Sequence, residues 1–121
     1  MKWKESFTAL LILVLFSVSA ASCHSSQSFN FGPYSEAEHL YKKGKYKKAI
    51  DKYQEYLRDN PDGNMAVISY YYLAKSYEGL DQTEKAKELY EKIVKEHPGL
   101  VWADFSKTRL EELSKSSASK Q

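Results

Sequence analysis

Cysteine is all but missing from this chain of 121 residues. With Cys23 alone, neither an internal disulfide framework nor a four-thiolate zinc site can form. Three prolines and five glycines are too few for a collagen-like or low-complexity chain. Eighteen basic against 16 acidic side chains leave a net charge of only +2, too little for an electrostatic footprint on nucleic acid. The longest apolar stretch, Phe7 to Phe16, would make a helix of about 15 Å, roughly half the hydrocarbon thickness of a bilayer. Catalytic signatures are missing as well. The chain has no glycine-rich phosphate loop, no nucleophile elbow and no paired-carboxylate site, and His24, His39 and His97 form no metal-binding pair beside a carboxylate. The expectation is therefore no enzyme, no metal and no cofactor. His97, just before Pro98, is expected to serve as a favourable charge at a helix C-terminus.

What is present divides the chain unevenly. Residues 1–22 carry Lys2 and Lys4, then the apolar stretch, then the small residues Ser17 to Ser22, the order of a cleaved secretory signal peptide. Cys23 follows Ala20-Ala21-Ser22 directly. That placement resembles the lipobox of bacterial lipoproteins, with Ala20 where leucine is usual and Ser22 where glycine or alanine is usual. The resemblance implies a lipidated Cys23 and a membrane anchor; ordinary cleavage would instead leave a free thiol near the new terminus. His24 in the next position is not the aspartate of an inner-membrane retention signal, which leans toward the outer membrane, facing the periplasm. Residues 23–33 read as the modified terminus and a short tether. Without residues 1–22 the chain is near neutral, which favours a protein partner over nucleic acid or anionic lipid.

All ten tyrosines lie between Tyr34 and Tyr90, and they fall into a repeat. A shift of 37 residues superposes Tyr34 on Tyr71, Ala37 on Ala74, Lys48 on Lys85, Ala49 on Ala86, Tyr53 on Tyr90 and Pro61 on Pro98. It also superposes Ala66 on Ala103, Ser69 on Ser106 and Leu73 on Leu110. Within each unit the apolar residues recur at steps of three and four, the helical period. Gly44-Lys45 and Gly79-Leu80-Asp81 are expected to turn the chain within a unit, while Asn60-Pro61-Asp62-Gly63 and Pro98-Gly99 separate units. Asn64 and Asp81 or Gln82 are plausible helix starts. A fifth helix is expected from about Val101 to Ser114, followed by a disordered tail at 116–121.

The second unit places Tyr70, Leu73-Ala74, Tyr77, Ala86, Tyr90 and Pro98 at spacings that resemble the tetratricopeptide repeat family. Thr83 departs from its pattern, and the 37-residue period exceeds the family's usual one. The longer linker resembles repeats of bacterial envelope proteins, including those of the Tol–Pal system and of the outer-membrane assembly machinery. The resemblance implies an all-α array of tandem helical hairpins over residues 34–115, about two repeats plus a capping helix whose outward face (Lys107, Glu111, Lys115) is polar.

In such an array the concave face, lined by the first helix of each hairpin, carries the binding function. Residues off the core stripe are Tyr34, Glu38, Tyr41 and Lys42 in the first unit and Ile68, Tyr71, Lys75 and Glu78 in the second. The capping helix adds Phe105, Thr108 and Glu112. Tyrosines mixed with both signs of charge suit a peptide, though Tyr41 and Tyr71 would equally serve to cover neighbouring helices. The run Lys42 to Lys48 holds five lysines. It either touches anionic headgroups or is a solvated turn balanced by acids of neighbouring helices, and the second reading is the simpler. The expected function is a lipid-anchored adaptor of the cell envelope that binds a protein segment. Self-association through the open ends of the array and recognition of cell-wall glycan are the alternatives.

Overall fold

The computed structural model of the chain describes residues 32–119. The expected signal peptide and Cys23 lie outside the described residues, as does most of the expected tether. Among the described residues five helices follow one another: α1 (Pro33–Lys42), α2 (Tyr46–Asp59), α3 (Ala66–Gly79), α4 (Thr83–Glu96) and α5 (Val101–Ala118). Helices of 14 residues such as α2, α3 and α4 are marginal by themselves in water, so their stability comes from packing.

The packing is a tandem one. Each helix lies against the next in sequence, giving the hairpins α1–α2 and α3–α4, with α5 closing the second against solvent. Ala37, Ala49 and Tyr53 are buried together in the first unit, and their counterparts Ala74, Ala86 and Tyr90 in the second. The alanines, all fully buried, let two helices approach closely, and the tyrosine ring fills the gap that the small residues leave. The fold is thus an all-α, tetratricopeptide-like solenoid of about two repeats and a capping helix.

Curvature follows from which helices touch across units. In one layer α1 meets α3 and α3 meets α5, whereas the backbones of α2 and α4 stay farther apart, with no Cα atoms within 8 Å of each other. The α1–α3–α5 layer is therefore the inner, concave one. The array is also closed at its C-terminal end. Where α3 presents Tyr70, Ala74 and Tyr77 toward its hairpin partner, α5 carries Lys107, Glu111 and Ser114, all exposed. No further helix has an apolar surface to join there.

The turn within each hairpin is built twice in the same way. Lys45 N–H donates to the Leu40 carbonyl and Gly44 N–H to that of Tyr41, both at 2.9 Å; Gln82 and Asp81 donate to Tyr77 and Glu78, again at 2.9 Å. This double bond pattern needs a left-handed residue at its apex. Gly44 supplies it at φ 70°, and Asp81, its counterpart 37 residues on, adopts φ 58° with a side chain. The residue that bends the second turn is thus Asp81. Gly79 serves a different purpose, since a Cβ placed on it would come within 2.4 Å of the Tyr46 ring, and glycine there lets α2 and α3 close on each other. Thr83, which replaces the repeat's aromatic, corresponds to Tyr46, and the residue corresponding to Gly79 is Ser116.

Two boundaries differ from expectation. Helix α3 begins at Ala66 with Met65, not Asn64, in the capping position. Helix α5 runs through Ala118, beyond the expected end near Ser114 and into the segment expected as a disordered tail. The serines that signal a stop in the sequence instead turn their hydroxyls onto the preceding turn, Ser114 to the Glu111 carbonyl and Ser117 to that of Leu113.

The paired turns make a test with opposite signs. Relieving the left-handed strain by Asp81→Gly should raise stability by about 0.5–1 kcal/mol, whereas Gly44→Ala should lower it by about 1–2 kcal/mol. Urea midpoints of the two variants check this; a loss of stability in Asp81→Gly would contradict the turn geometry.

Candidate functional site on the concave face

An aromatic seam crosses the inner layer. It starts at Tyr41 on α1, whose ring meets that of Tyr72 on α3 at 5.1 Å. Tyr72 lies 5.6 Å from Tyr71 and 6.2 Å from Trp102 of α5, and Tyr71 stands 5.1 Å from Trp102. Phe105 ends the seam, 5.6 Å from Trp102 and 6.2 Å from Tyr71, with 47% of its surface still exposed. The tilted and edge-on arrangements are those that aromatic quadrupoles favour. The aromatics of α3 that face the outer helices differ in being covered: Lys92 of α4 sits over Tyr70 and Lys85 over Tyr77, which also accepts a hydrogen bond from Gln54 of α2.

Beside the seam lies a charged node centred on Glu78, whose side chain is only 12% exposed. Arg109 of α5 grips it with two nitrogens, Nε to Oε1 at 3.2 Å and Nη2 to Oε2, and reaches Glu112 with Nη1. The Tyr90 hydroxyl donates to Oε1 of the same carboxylate, and Lys75 Nζ stands 4.0 Å away. Burial by itself would raise the Glu78 pKa. The hydrogen bonds from Arg109 and Tyr90, with the charge of Lys75, outweigh it and hold the carboxyl below its ordinary value. Burial also raises Tyr90, reinforced by its bond to the Glu78 carboxylate. The first unit lacks this node, because the position of Glu78 is taken there by Tyr41. Tyr53, the counterpart of Tyr90, is fully buried, and its hydroxyl has no hydrogen-bond partner among the described residues.

Of the residues expected on this face, Tyr41, Ile68, Tyr71, Lys75 and Glu78 are half-buried along the inner layer, and Thr108 and Glu112 are exposed on α5. Glu38 pairs with Lys42 at 2.8 Å, and Thr108 donates its hydroxyl to the Asp104 carbonyl. Tyr34 must be corrected. It is only 5% exposed and packs edge-on against Tyr53 and Tyr56, so it belongs to the core. Burial, with the nearby Glu38 charge second, pushes its hydroxyl up to about 12. Position in the repeat is a poor guide here: Tyr71, its counterpart, has α5 to lean on and lies within the seam.

Tyr72, Trp102 and Arg109 are not among the expected residues. Tyr72 and Trp102 lie next to stripe positions, and nothing in their spacing sets them apart from the core. Arg109 meets Glu78 across 31 residues of sequence, and only the i, i+3 spacing to Glu112 hints at its role. Among the described residues no group of three His, Cys, Asp or Glu side chains gathers to hold a metal ion, and no helix is long and apolar enough to cross a membrane.

Residues 69–99, covering most of α3, all of α4 and the turn between them, match the family model described as tetratricopeptide repeat. No curated protein matches the chain. Repeats of this kind are non-catalytic and mediate protein–protein interaction.

The node gives a pH-dependent test. A carboxyl whose folded pKa is depressed adds stability above its unfolded value, about 4.3, and loses that contribution as pH falls through the folded value. Glu78→Gln should therefore cost about 1–3 kcal/mol at neutral pH, and the gap to the unmodified chain should shrink as pH drops below about 4. Thermal melts across that range check it. A gap that stays constant with pH would contradict the ionised node.

Proposed function

We propose that the concave face binds an extended segment of another protein, and that the chain serves as a lipid-anchored adaptor of the bacterial cell envelope. The observation that carries the binding reading is the aromatic seam from Tyr41 to Phe105, which ends in a half-exposed ring beside paired charges of both signs. Rigid aromatic surface supplies contact area at little entropic cost, and neighbouring charges fix register. Lys75 and Glu112 flank the seam from α3 and α5. The anchor reading rests on the placement of Cys23 after Ala20-Ala21-Ser22, and the envelope reading on the signal-peptide pattern of residues 1–22.

Self-association through the ends of the array draws less support. Lys107, Glu111 and Ser114 make one end polar, and the exposed Glu36 and His39 do the same at α1. A glycan-binding role has only the exposed aromatic edge in its favour.

Phe105 is the residue to remove, because Tyr71 and Tyr72 are too deeply packed for a clean test. Phe105→Ala with Lys75→Ala should leave helicity and the melting temperature nearly unchanged while weakening capture of the partner from envelope extract at least tenfold, about 1.4 kcal/mol. Undiminished capture would count against the groove. For the anchor, Cys23→Ser should leave the membrane fraction, and an intact mass showing an unmodified Cys23 in the wild type would contradict it.

A further inference from the structure

The lysine run between Lys42 and Lys48 is not balanced by acids of the neighbouring helices. Lys42 is paired with Glu38. Lys43, Lys45, Lys47 and Lys48 are all exposed, and none has an ion-pair partner among the described residues. Three of them stand where a helix least favours positive charge. Lys45 is the residue before α2, and Lys47 and Lys48 lie in its first turn, which holds no acid. The N-terminal end of a helix is its positive pole, so these lysines oppose the backbone dipole. Helices α1, α4 and α5 follow the usual rule and carry Glu36, Glu84 and Asp104 in their first turns. Fold stability does not account for the lysines at α2.

Their surroundings suggest what does. The run wraps an open cleft of about 410 Å³ lined by Gly44, Lys45, Tyr46, Lys47, Lys48 and Leu80. Leu80, 36% exposed, comes from the second hairpin turn, so two successive turns bring an apolar tip in among the cations. At the opposite end of the helices the exposed acids Asp59 and Glu96 are paired, with Arg58 and Lys92. The four lysines differ in having no such partner, although Asp81 and Glu84 are also exposed near Leu80.

We infer that this lysine-rimmed turn face rests on an anionic lipid surface, with Lys43, Lys45, Lys47 and Lys48 meeting phosphate headgroups and Leu80 entering the layer beneath. Headgroups place dense negative charge within a few ångströms of apolar chains, which matches cations surrounding an apolar tip. An acidic peptide supplies the charge but leaves Leu80 without a use. The reach is adequate. Residues 23–32 can extend over about 30 Å, about twice the length of α1, roughly 15 Å, so a lipid at Cys23 and this face can meet one membrane. The contact is separate from the concave face and does not depend on what binds there.

The test is flotation of the full chain carrying Cys23→Ser, so that no lipid at that position contributes, with vesicles of phosphatidylcholine alone and of phosphatidylcholine with about a third phosphatidylglycerol, with soluble polyglutamate as the competing probe. Binding should require the anionic lipid and fall steeply when salt rises from about 0.05 to about 0.5 M, as screening shortens the range of the attraction. Attachment through the apolar residues 7–16 would respond to neither. K43Q/K45Q/K47Q/K48Q should weaken anionic-vesicle binding at least tenfold, and Leu80→Asn should weaken it less. The melting temperature of the quadruple variant should hold or rise, because its lysines oppose the dipole, so lost binding cannot be laid to unfolding. Equal binding to both vesicle types, an unaffected quadruple variant, or tight binding of polyglutamate without vesicle binding would each overturn the inference, the last in favour of an acidic protein segment.

Discussion

The close crossing of the two helices within each hairpin is the constraint on which the rest depends. It exists because Ala37 and Ala49 in one unit, and Ala74 and Ala86 in the next, leave no side chain to hold the backbones apart. Tyr53 and Tyr90 then fill the remaining volume with rings that lose all contact with solvent. The tight turn at Gly44 and Asp81 and the touching row α1–α3–α5 are consequences of that spacing, and the curvature that creates an inner face follows from the row.

Core and face diverge in how strictly they repeat. Where the two helices of a hairpin cross, the two units keep the same residue, Ala37 and Ala74, Ala49 and Ala86, Tyr53 and Tyr90, because packing tolerates little change in volume there. On the inner face the same positions carry different chemistry: Tyr41 corresponds to Glu78, Glu38 to Lys75 and then to Glu112. The contrast between Tyr53 and Tyr90 shows the effect of such a change on the interior. One hydroxyl finds Glu78, and the other, facing a unit with Tyr41 in that place, has no hydrogen-bond partner among the described residues. The Glu78 node also ties α5 to the array, so the residue that distinguishes the second unit helps hold the cap that ends it.

The fold is largely legible in the sequence, since alanine, tyrosine and proline at a fixed offset record packing that operates over a few residues. The site is only half legible. Which face is inner can be read from the stripe, but how deeply a tyrosine on it is covered depends on its neighbours: Tyr34 packs on Tyr53 and Tyr56, whereas the second unit has Ile93 in the place of Tyr56 and Tyr71 leans on Trp102 of α5 instead. Arg109 and Glu78 are opaque because a contact between side chains 31 residues apart leaves no local pattern. The extent of α5 is misjudged when serine is taken as a breaker, because its hydroxyl can cap the turn before it. Net charge conceals the cluster at the first hairpin turn, where Lys43, Lys45, Lys47 and Lys48 have no ion-pair partner among the described residues.

The central claim is that the concave layer, and not the outer one, meets a partner protein. A photo-crosslinking side chain installed at Phe105 on α5, and separately at Glu91 on the exposed side of α4, and activated in the native envelope addresses it directly. A partner held on the concave face gives a discrete protein adduct from position 105 and none from position 91. Adducts from position 91 with none from 105 would contradict it.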